Sequence, residues 1–234
     1  VINLLIRGKD GVYERETVRR IMNLCRPGSF FFDAGANIGL MSLPVLYEYP
    51  DVRVVSFEPS PSSTPFLAKT IAGSPYRERW QLVPKAVADQ PGTADFCASN
   101  GAMGAFDGLR DTGRSEVKHI ERSVAPVEVT TLDLEWEALG RPDVSVVKID
   151  VEGAELGVFR GAEKLIAAKR PSFVVEWSRR NLPAYGTDFG ELFRFAVRHS
   201  YLLFTSEQGI PVRSEAELRF QMLENEEFVL IPDA

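Results

Sequence analysis

Phe30-Phe31-Phe32-Asp33-Ala34-Gly35-Ala36-Asn37-Ile38-Gly39-Leu40 is the stretch on which the fold turns. Three aromatics in a row read as a buried strand, because a central parallel strand is covered on both faces and need not alternate. The glycines mark a tight turn, and residues 38–49 read as a helix leaving that turn, with a bend at Pro44. Strand, glycine turn and helix form the nucleotide-cradling unit of doubly wound α/β proteins. Glycine lets a backbone approach a ligand, and a helix N-terminus offers free N–H groups.

The turn is selective about its ligand. A dinucleotide fingerprint wants a middle glycine, and Asn37 stands there instead; a phosphate-binding loop wants a lysine, and none follows. Asp33 precedes the first glycine, and Glu58 ends the next strand, where an acid about 20 residues on accepts hydrogen bonds from ribose hydroxyls. An acid at the turn repels a pyrophosphate and suits a cationic amine. S-adenosyl-L-methionine has a ribose and an ammonium and no phosphate, so the residues favour it. The alternative is that Asp33 merely caps the turn.

Composition excludes several classes. The 234 residues suit one α/β domain, and 44% hydrophobic with 26% charged residues is ordinary for a globular chain. A net charge of −6 with scattered lysine and arginine offers no footprint for nucleic acid. Cys25 and Cys97 are too few for a disulfide framework. No apolar run approaches 20 residues, so no membrane span is expected. Val1–Arg7 is short for a signal peptide, and a cytoplasmic, reduced enzyme is the expectation; the chain starts without Met, which leaves open whether residues precede it.

In chain order, residues 1–12 read as an edge segment and residues 14–24 as an amphipathic helix covering the sheet. Residues 1–28 thus form a cover segment before a domain over 29–234. Residues 52–58 are the second strand. Residues 80–87 read as a third, with Pro84 arguing for an edge or bulge. Residues 93–98 and 127–130 suit a hairpin-like flap. The glycine-interrupted stretch 99–125 reads as a lid, a binding loop or a disordered segment; Met103 and Phe106 either touch cofactor or substrate or tuck into the core under a surface loop, His119 is a minor catalytic candidate, and His199 reads as structural. Strands at 144–150 and 172–177 flank two helices broken at Gly161. The last strands, 201–204 and 228–231, are joined by an acidic, exposed segment, and the final strand is antiparallel to an otherwise parallel sheet.

Four blocks in this order resemble one family: F-F-D-A-G-A-N-I-G (31–39), S-F-E-P-S-P (56–61), T-L-D (131–133) and V-K-I-D-V-E-G-A-E (147–155). They are similar to the FkbM-type methyltransferases. The resemblance implies a Rossmann-like seven-stranded sheet, mostly parallel with an antiparallel last strand. It implies S-adenosyl-L-methionine as methyl donor and O-methylation of a hydroxyl on a sugar or natural product. Carried over by position, Asp33, Gly35, Asn37 and Gly39 surround the methionine part. Glu58 holds the ribose with Pro59 and Ser60 beside it, and Lys85, Ala86 and Val87 line the adenine. Leu40 departs from the family, which often has an aromatic there.

Asp150 lies at the carboxyl end of a core strand, where open α/β sheets bind their ligands. Asp150, Glu152 and Glu176 are the candidates to take the acceptor's proton, and Asp150 also touches the cofactor. Three acids together either raise one another's pKa or hold a hard cation such as Mg²⁺. Each has a structural alternative: Glu152 as a helix cap, Glu155 as a loop-holding acid, Glu176 as partner of Arg179 or Arg180. The rival functions are a catalytically silent S-adenosyl-L-methionine-binding module and a nicotinamide-dependent oxidoreductase. The sequence leaves the oligomeric state open.

Overall fold

The computed structural model describes residues 14–99, 107–113 and 121–233. Expectations for residues 1–12, Met103, Phe106 and His119 therefore lie outside the described residues. The elements are α1 (Arg15–Leu24), β1 (Phe30–Ala34), α2 (Ser42–Glu48), β2 (Arg53–Phe57), α3 (Thr64–Ala72), β3 (Trp80–Val83), β4 (Ala86–Val87), β5 (Gly92–Ser99), β6 (Arg122–Thr130) and α4 (Leu132–Ala138). There follow β7 (Val144–Ile149), α5 (Glu155–Arg160), α6 (Glu163–Lys169), β8 (Ser172–Glu176), α7 (Glu191–Arg198), β9 (Tyr201–Thr205), β10 (Pro211–Val212), α8 (Glu215–Gln221) and β11 (Glu227–Pro232).

The main sheet runs β10-β9-β11-β8-β7-β1-β2-β3. Strands β3, β2, β1, β7 and β8 pair in parallel, and β11 inserts antiparallel between β8 and β9. The expected antiparallel last strand is present, and the two-residue β10 at the edge makes eight strands where seven are expected. Phe31 packs with Val18, Ile21, Val45 and Leu67 on one face, while Phe32 packs with Val158, Phe159, Leu165 and Phe195 on the other. Both faces of β1 are covered, so its sequence has no polar face to alternate with.

Three expectations are corrected. First, α2 starts at Ser42 rather than Ile38, because residues 35–39 are spent on a turn with Gly35, Asn37 and Gly39 in the left-handed region; Pro44 sits in the first helical turn, where its missing N–H is harmless. Second, residues 80–87 are two strands. Pro84 cannot donate to the ladder, and after it the chain leaves the main sheet and pairs β4 with β6 in a second sheet of order β4-β6-β5. The expected flap is the β5–β6 hairpin of that sheet. Third, the acidic segment before β11 is not simply exposed. Ser214 caps α8 by accepting from the Glu217 N–H, and Val212, Leu218 and Met222 are buried in the core.

The second sheet is locked against α5 by one close approach. A Cβ on Gly161 would lie 2.1 Å from the Ala88 carbonyl oxygen. Gly161→Ala is expected to lower stability by about 1–3 kcal/mol through overpacking. Gly73→Ala, whose Cβ would meet nothing closer than 3.4 Å, stays within about 0.5 kcal/mol. Urea unfolding midpoints of the two variants check this.

Candidate functional site

At the carboxyl ends of β1, β2 and β7 lies a cavity of about 310 Å³. Its near wall is the turn after β1. Gly35, Asn37 and Gly39 have φ of +80°, +50° and +88°. Asparagine tolerates the left-handed region better than most residues, which is why Asn37 replaces a glycine here. Gly35 has a second constraint: a Cβ would sit 1.7 Å from the Asp150 carbonyl oxygen. At Gly39 a Cβ would meet the Trp80 ring at 2.6 Å.

Glu58 is buried beside that turn. The Asn37 and Ser60 N–H groups donate to its two oxygens at 2.7 and 2.8 Å. Burial outweighs these bonds and pushes its pKa up to about 7. Next to it Asp107 is buried, with Ser60 Oγ and Ser62 Oγ donating to Oδ2 at 2.6 and 3.0 Å and the Ser99 N–H to Oδ1 at 2.6 Å. Asp107 pins the second sheet to the Glu58 loop, so that Ala86, Val87, Phe96 and Leu109 form an apolar wall of the cavity.

Asp33 stands beneath the cavity, fully buried, and does not line it. Ser42 Oγ donates to its Oδ2 at 2.6 Å. That hydroxyl hydrogen being used, Ser56 Oγ donates to Ser42 Oγ across 2.9 Å and accepts from Trp80 Nε1 at 2.8 Å. A relay of donors therefore runs from β3 through β2 and α2 and ends on Asp33. Lys148 Nζ lies 3.8 Å from the other Asp33 oxygen, 3.0 Å from Asp150 Oδ2 and 3.1 Å from the Gly35 carbonyl oxygen to which it donates. Burial works against the charge on Lys148, but Asp150 and Asp33 outweigh it and hold the pKa above that of an ordinary lysine.

The far end of the cavity is acidic. Asp150, Glu152 and Glu176 bring carboxylate oxygens within 4.8 Å of one another. Asn181 Nδ2 lies 3.0 Å from Glu152 Oε2 and 3.0 Å from Glu176 Oε2. The α5 N-cap residue, Ala154, makes no side-chain cap of its own, and Arg180 Nε lies 3.6 Å from Glu226. Glu155 does hold the loop: its Oε1 accepts from the Gly153 and Val151 N–H groups at 2.8 and 3.3 Å, while Oε2 is buried without a hydrogen-bond partner.

Of the residues picked out from sequence, Gly35, Asn37, Glu58, Pro59, Ala86, Asp150, Glu152 and Glu176 line the cavity. Asp33, Gly39 and Ser60 support it from behind, Gly39 against Trp80 and Ser60 through Asp107. Sequence reasoning assigned no role to Lys148, Asp107 or Asn181. Lys148 has a legible signal, a charge inside a strand of otherwise buried residues. Asp107 and Asn181 have none, because each also needs a remote partner, Ser60 at 47 positions from Asp107 and Glu152 at 29 from Asn181.

Glu155 gives a pH prediction. Burial pushes its pKa from 4.5 up to about 7. Its contribution to stability is complete below pH 4.5 and is lost as pH rises through about 7. Glu155→Gln keeps the Oε1 acceptor and removes the buried charge. The variant is expected to melt higher than the parent at pH 8 and close to it at pH 5, as read by thermal denaturation.

Comparison with known proteins gives the family and the fold. Residues 33–203 match the methyltransferase FkbM domain family. The 31-O-demethyl-FK506 methyltransferase FkbM of Streptomyces tacrolimicus is 29% identical over 160 residues, covering 59% of this chain and 61% of that protein. The 2-O-methyltransferase NoeI of Sinorhizobium fredii is 27% identical over 161 residues, covering 65% of each. The methyltransferase sdnD of Sordaria araneosa is 26% identical, covering 58% of this chain and 61% of that protein. The chain thus spans less than two thirds of these relatives. The crystal structure of a methyltransferase FkbM from Methylobacillus flagellatus aligns with TM-score 0.55 at 13% identity, over 89% of this chain and 45% of that one. A putative caffeoyl-CoA O-methyltransferase from Staphylococcus aureus aligns with TM-score 0.53 at 9% identity, over 94% and 83%. These likenesses establish the methyltransferase fold.

Proposed function

The chain belongs to the FkbM methyltransferase domain family, and from that premise we propose that it is an S-adenosyl-L-methionine-dependent O-methyltransferase acting on a hydroxyl of a sugar or natural product. One observation carries the cofactor. Among the described residues lining the cavity, seven carboxylates (Glu14, Glu58, Asp107, Asp150, Glu152, Glu176 and Glu226) face two lysines. Lys148 is engaged by Asp33 and Asp150, and Lys85 lies 3.6 Å from Glu128 and 3.8 Å from Glu135. Such a lining disfavours a pyrophosphate and suits a cationic, phosphate-free adenosine compound, which argues against a nicotinamide oxidoreductase.

The donor set fits that compound. Glu58, fixed by two N–H groups, presents its remaining lone pairs to the ribose hydroxyls. Ala86, Val87, Phe96 and Leu109 offer an apolar slot for the base. Asp150, at the end of β7, faces the amino-acid ammonium, a direct contact that buried Asp33 leaves to it. The bound cofactor supplies a methyl group on a positively charged sulfur, ready for in-line displacement. The chain itself must hold the acceptor oxygen in line, worth as much as about 7–11 kcal/mol in the best oriented systems, and must take its proton, worth about 10²–10⁴ in rate. The acid trio is placed to take that proton, and this favours an enzyme over a silent binding module.

A divalent cation at the same trio is the weaker reading. One oxygen of each acid already has a donor, from Lys148 on Asp150 and from Asn181 on Glu152 and Glu176.

Calorimetry tests the cofactor: S-adenosyl-L-methionine binds and NAD does not. Ribose hydroxyls donate to ionised Glu58, so binding expels the proton that Glu58 holds below about pH 7. Affinity is expected to be lower at pH 6 than at pH 8, and Glu58→Ala is expected to lose about 10–100-fold in affinity together with that part of the pH dependence. Mass spectrometry with a panel of hydroxylated acceptors then detects a product heavier by one methylene, equally with and without a chelator.

A further inference from the structure

Glu58 is held by a residue that is itself held. Ser60 donates its backbone N–H to Glu58 Oε1 at 2.8 Å and its hydroxyl to Asp107 Oδ2 at 2.6 Å. It is fully buried and stands between Pro59 and Pro61. Proline fixes its own φ and pushes the residue before it toward extended backbone, so Ser60 has little freedom to move one group without the other. The Ser60 carbonyl is fixed as well, accepting from the Ser63 and Thr64 N–H groups at 3.1 and 2.9 Å. A pull on the Ser60 hydroxyl is therefore passed to the N–H that meets Glu58.

Asp107 is anchored on its other side to the second sheet. The Ser99 N–H at the end of β5 donates to Oδ1 at 2.6 Å. The next residue, Gly108, exchanges backbone hydrogen bonds with Cys97 of β5 at 2.8 and 3.2 Å. Leu109 then joins Phe96 of β5 and Ala86 and Val87 of β4 in the apolar wall. Asp107 thus lies where the loop that carries Glu58 meets the slot for a base, with one oxygen turned to each. An asparagine could bond the same groups, accepting from the Ser99 N–H and donating to the Ser60 hydroxyl. The aspartate adds a negative charge beside a second buried carboxyl, which packing alone does not call for.

We propose that Asp107 is a positioning residue of the cofactor site: through Ser60 it holds Glu58 where the ribose hydroxyls arrive, and through Ser99 it fixes that point relative to the base slot. This rests on the S-adenosyl-L-methionine reading. The charge on Asp107 has a consequence for Glu58 that a neutral strut would lack. Burial is the main cause that raises Glu58 to about 7; the Ser60 and Asn37 N–H groups work against the rise, Asp107 adds to it, and Lys148 of β7 works against it.

Calorimetry of the purified chain with S-adenosyl-L-methionine at pH 6 and pH 8 tests the assignment. Ionised Glu58 accepts the ribose hydroxyls, so its titration near 7 makes Kd about tenfold larger at pH 6 than at pH 8. Asp107→Ala is expected to raise Kd at pH 8 about 10–100-fold. Asp107→Asn can still bond Ser60 and Ser99, and is expected to stay within about threefold of the parent at pH 8. With the charge gone, Glu58 ionises at lower pH, and the ratio of Kd between the two pH values is expected to shrink from about tenfold to about threefold. A purely structural bond would leave that ratio as it is. An alanine variant that binds as tightly as the parent, an asparagine variant as weak as the alanine one, or an unchanged ratio overturns the proposal. Should Asp107→Ala not fold, Ser60→Ala decides, because it removes the hydroxyl and keeps the N–H. It is expected to weaken binding about tenfold, and undiminished affinity overturns the proposal. A readout independent of the cofactor is the carbon NMR signal of the Glu58 carboxyl, titrated without ligand. Its midpoint is expected near 7 in the parent and lower in Asp107→Asn, and a midpoint that stays in place overturns the proposal. Failure of the parent to bind S-adenosyl-L-methionine would sink the cofactor reading instead, with this titration unaffected.

Discussion

A buried ammonium between two carboxylates organises the site. Lys148 reaches Asp33 below the cavity, Asp150 at its floor and the carbonyl of Gly35 in the turn. A charge in the interior is tolerated only when paired and hydrogen-bonded, so this lysine fixes where both acids and the turn must be. The turn after β1 can then be shaped by glycine and asparagine in left-handed conformations without collapsing onto β7, although Gly35 already packs against the Asp150 backbone. The relay from Trp80 through Ser56 and Ser42 to Asp33 extends the same constraint to the edge of the sheet.

The second sheet makes the cavity one-sided. It exists because Pro84 ends β3 and the chain turns away to pair β4 with β6. Gly161 lets the Ala88 backbone seat against α5, and Asp107 ties the tip of the hairpin to the Glu58 loop. One wall of the cavity is therefore apolar, from Phe96, Leu109, Ala86 and Val87, and the opposite end is acidic. That polarity, an apolar slot leading to a cluster of carboxylates, is the physical basis for reading the ligand as a planar base attached to a cationic tail.

Backbone strain is shared between the cavity and ordinary turns, since Arg141, Arg170 and Ser200 also have positive φ. Asn37 and Glu152 are non-glycine residues at positive φ, and both line the cavity. Buried carboxyls with raised pKa, Glu58 and Glu155, flank it. Elsewhere the core is conventional: both faces of the sheet are filled by aliphatic and aromatic side chains from the covering helices.

The core strands, the family and several of the cavity-lining residues were legible in the sequence, because they are written in short-range signals. A triple aromatic marks a doubly covered strand, a glycine turn marks close approach, and acids at strand ends mark the binding edge. Only the tertiary structure showed that Asp33 sits beneath the cavity, that residues 80–87 divide between two sheets, and that Lys148, Asp107 and Asn181 organise the acids. Ser60 lies 47 positions from Asp107, and Glu152 lies 29 from Asn181. Such contacts follow from how strand ends converge across a twisted sheet, and local sequence pattern carries no record of that convergence.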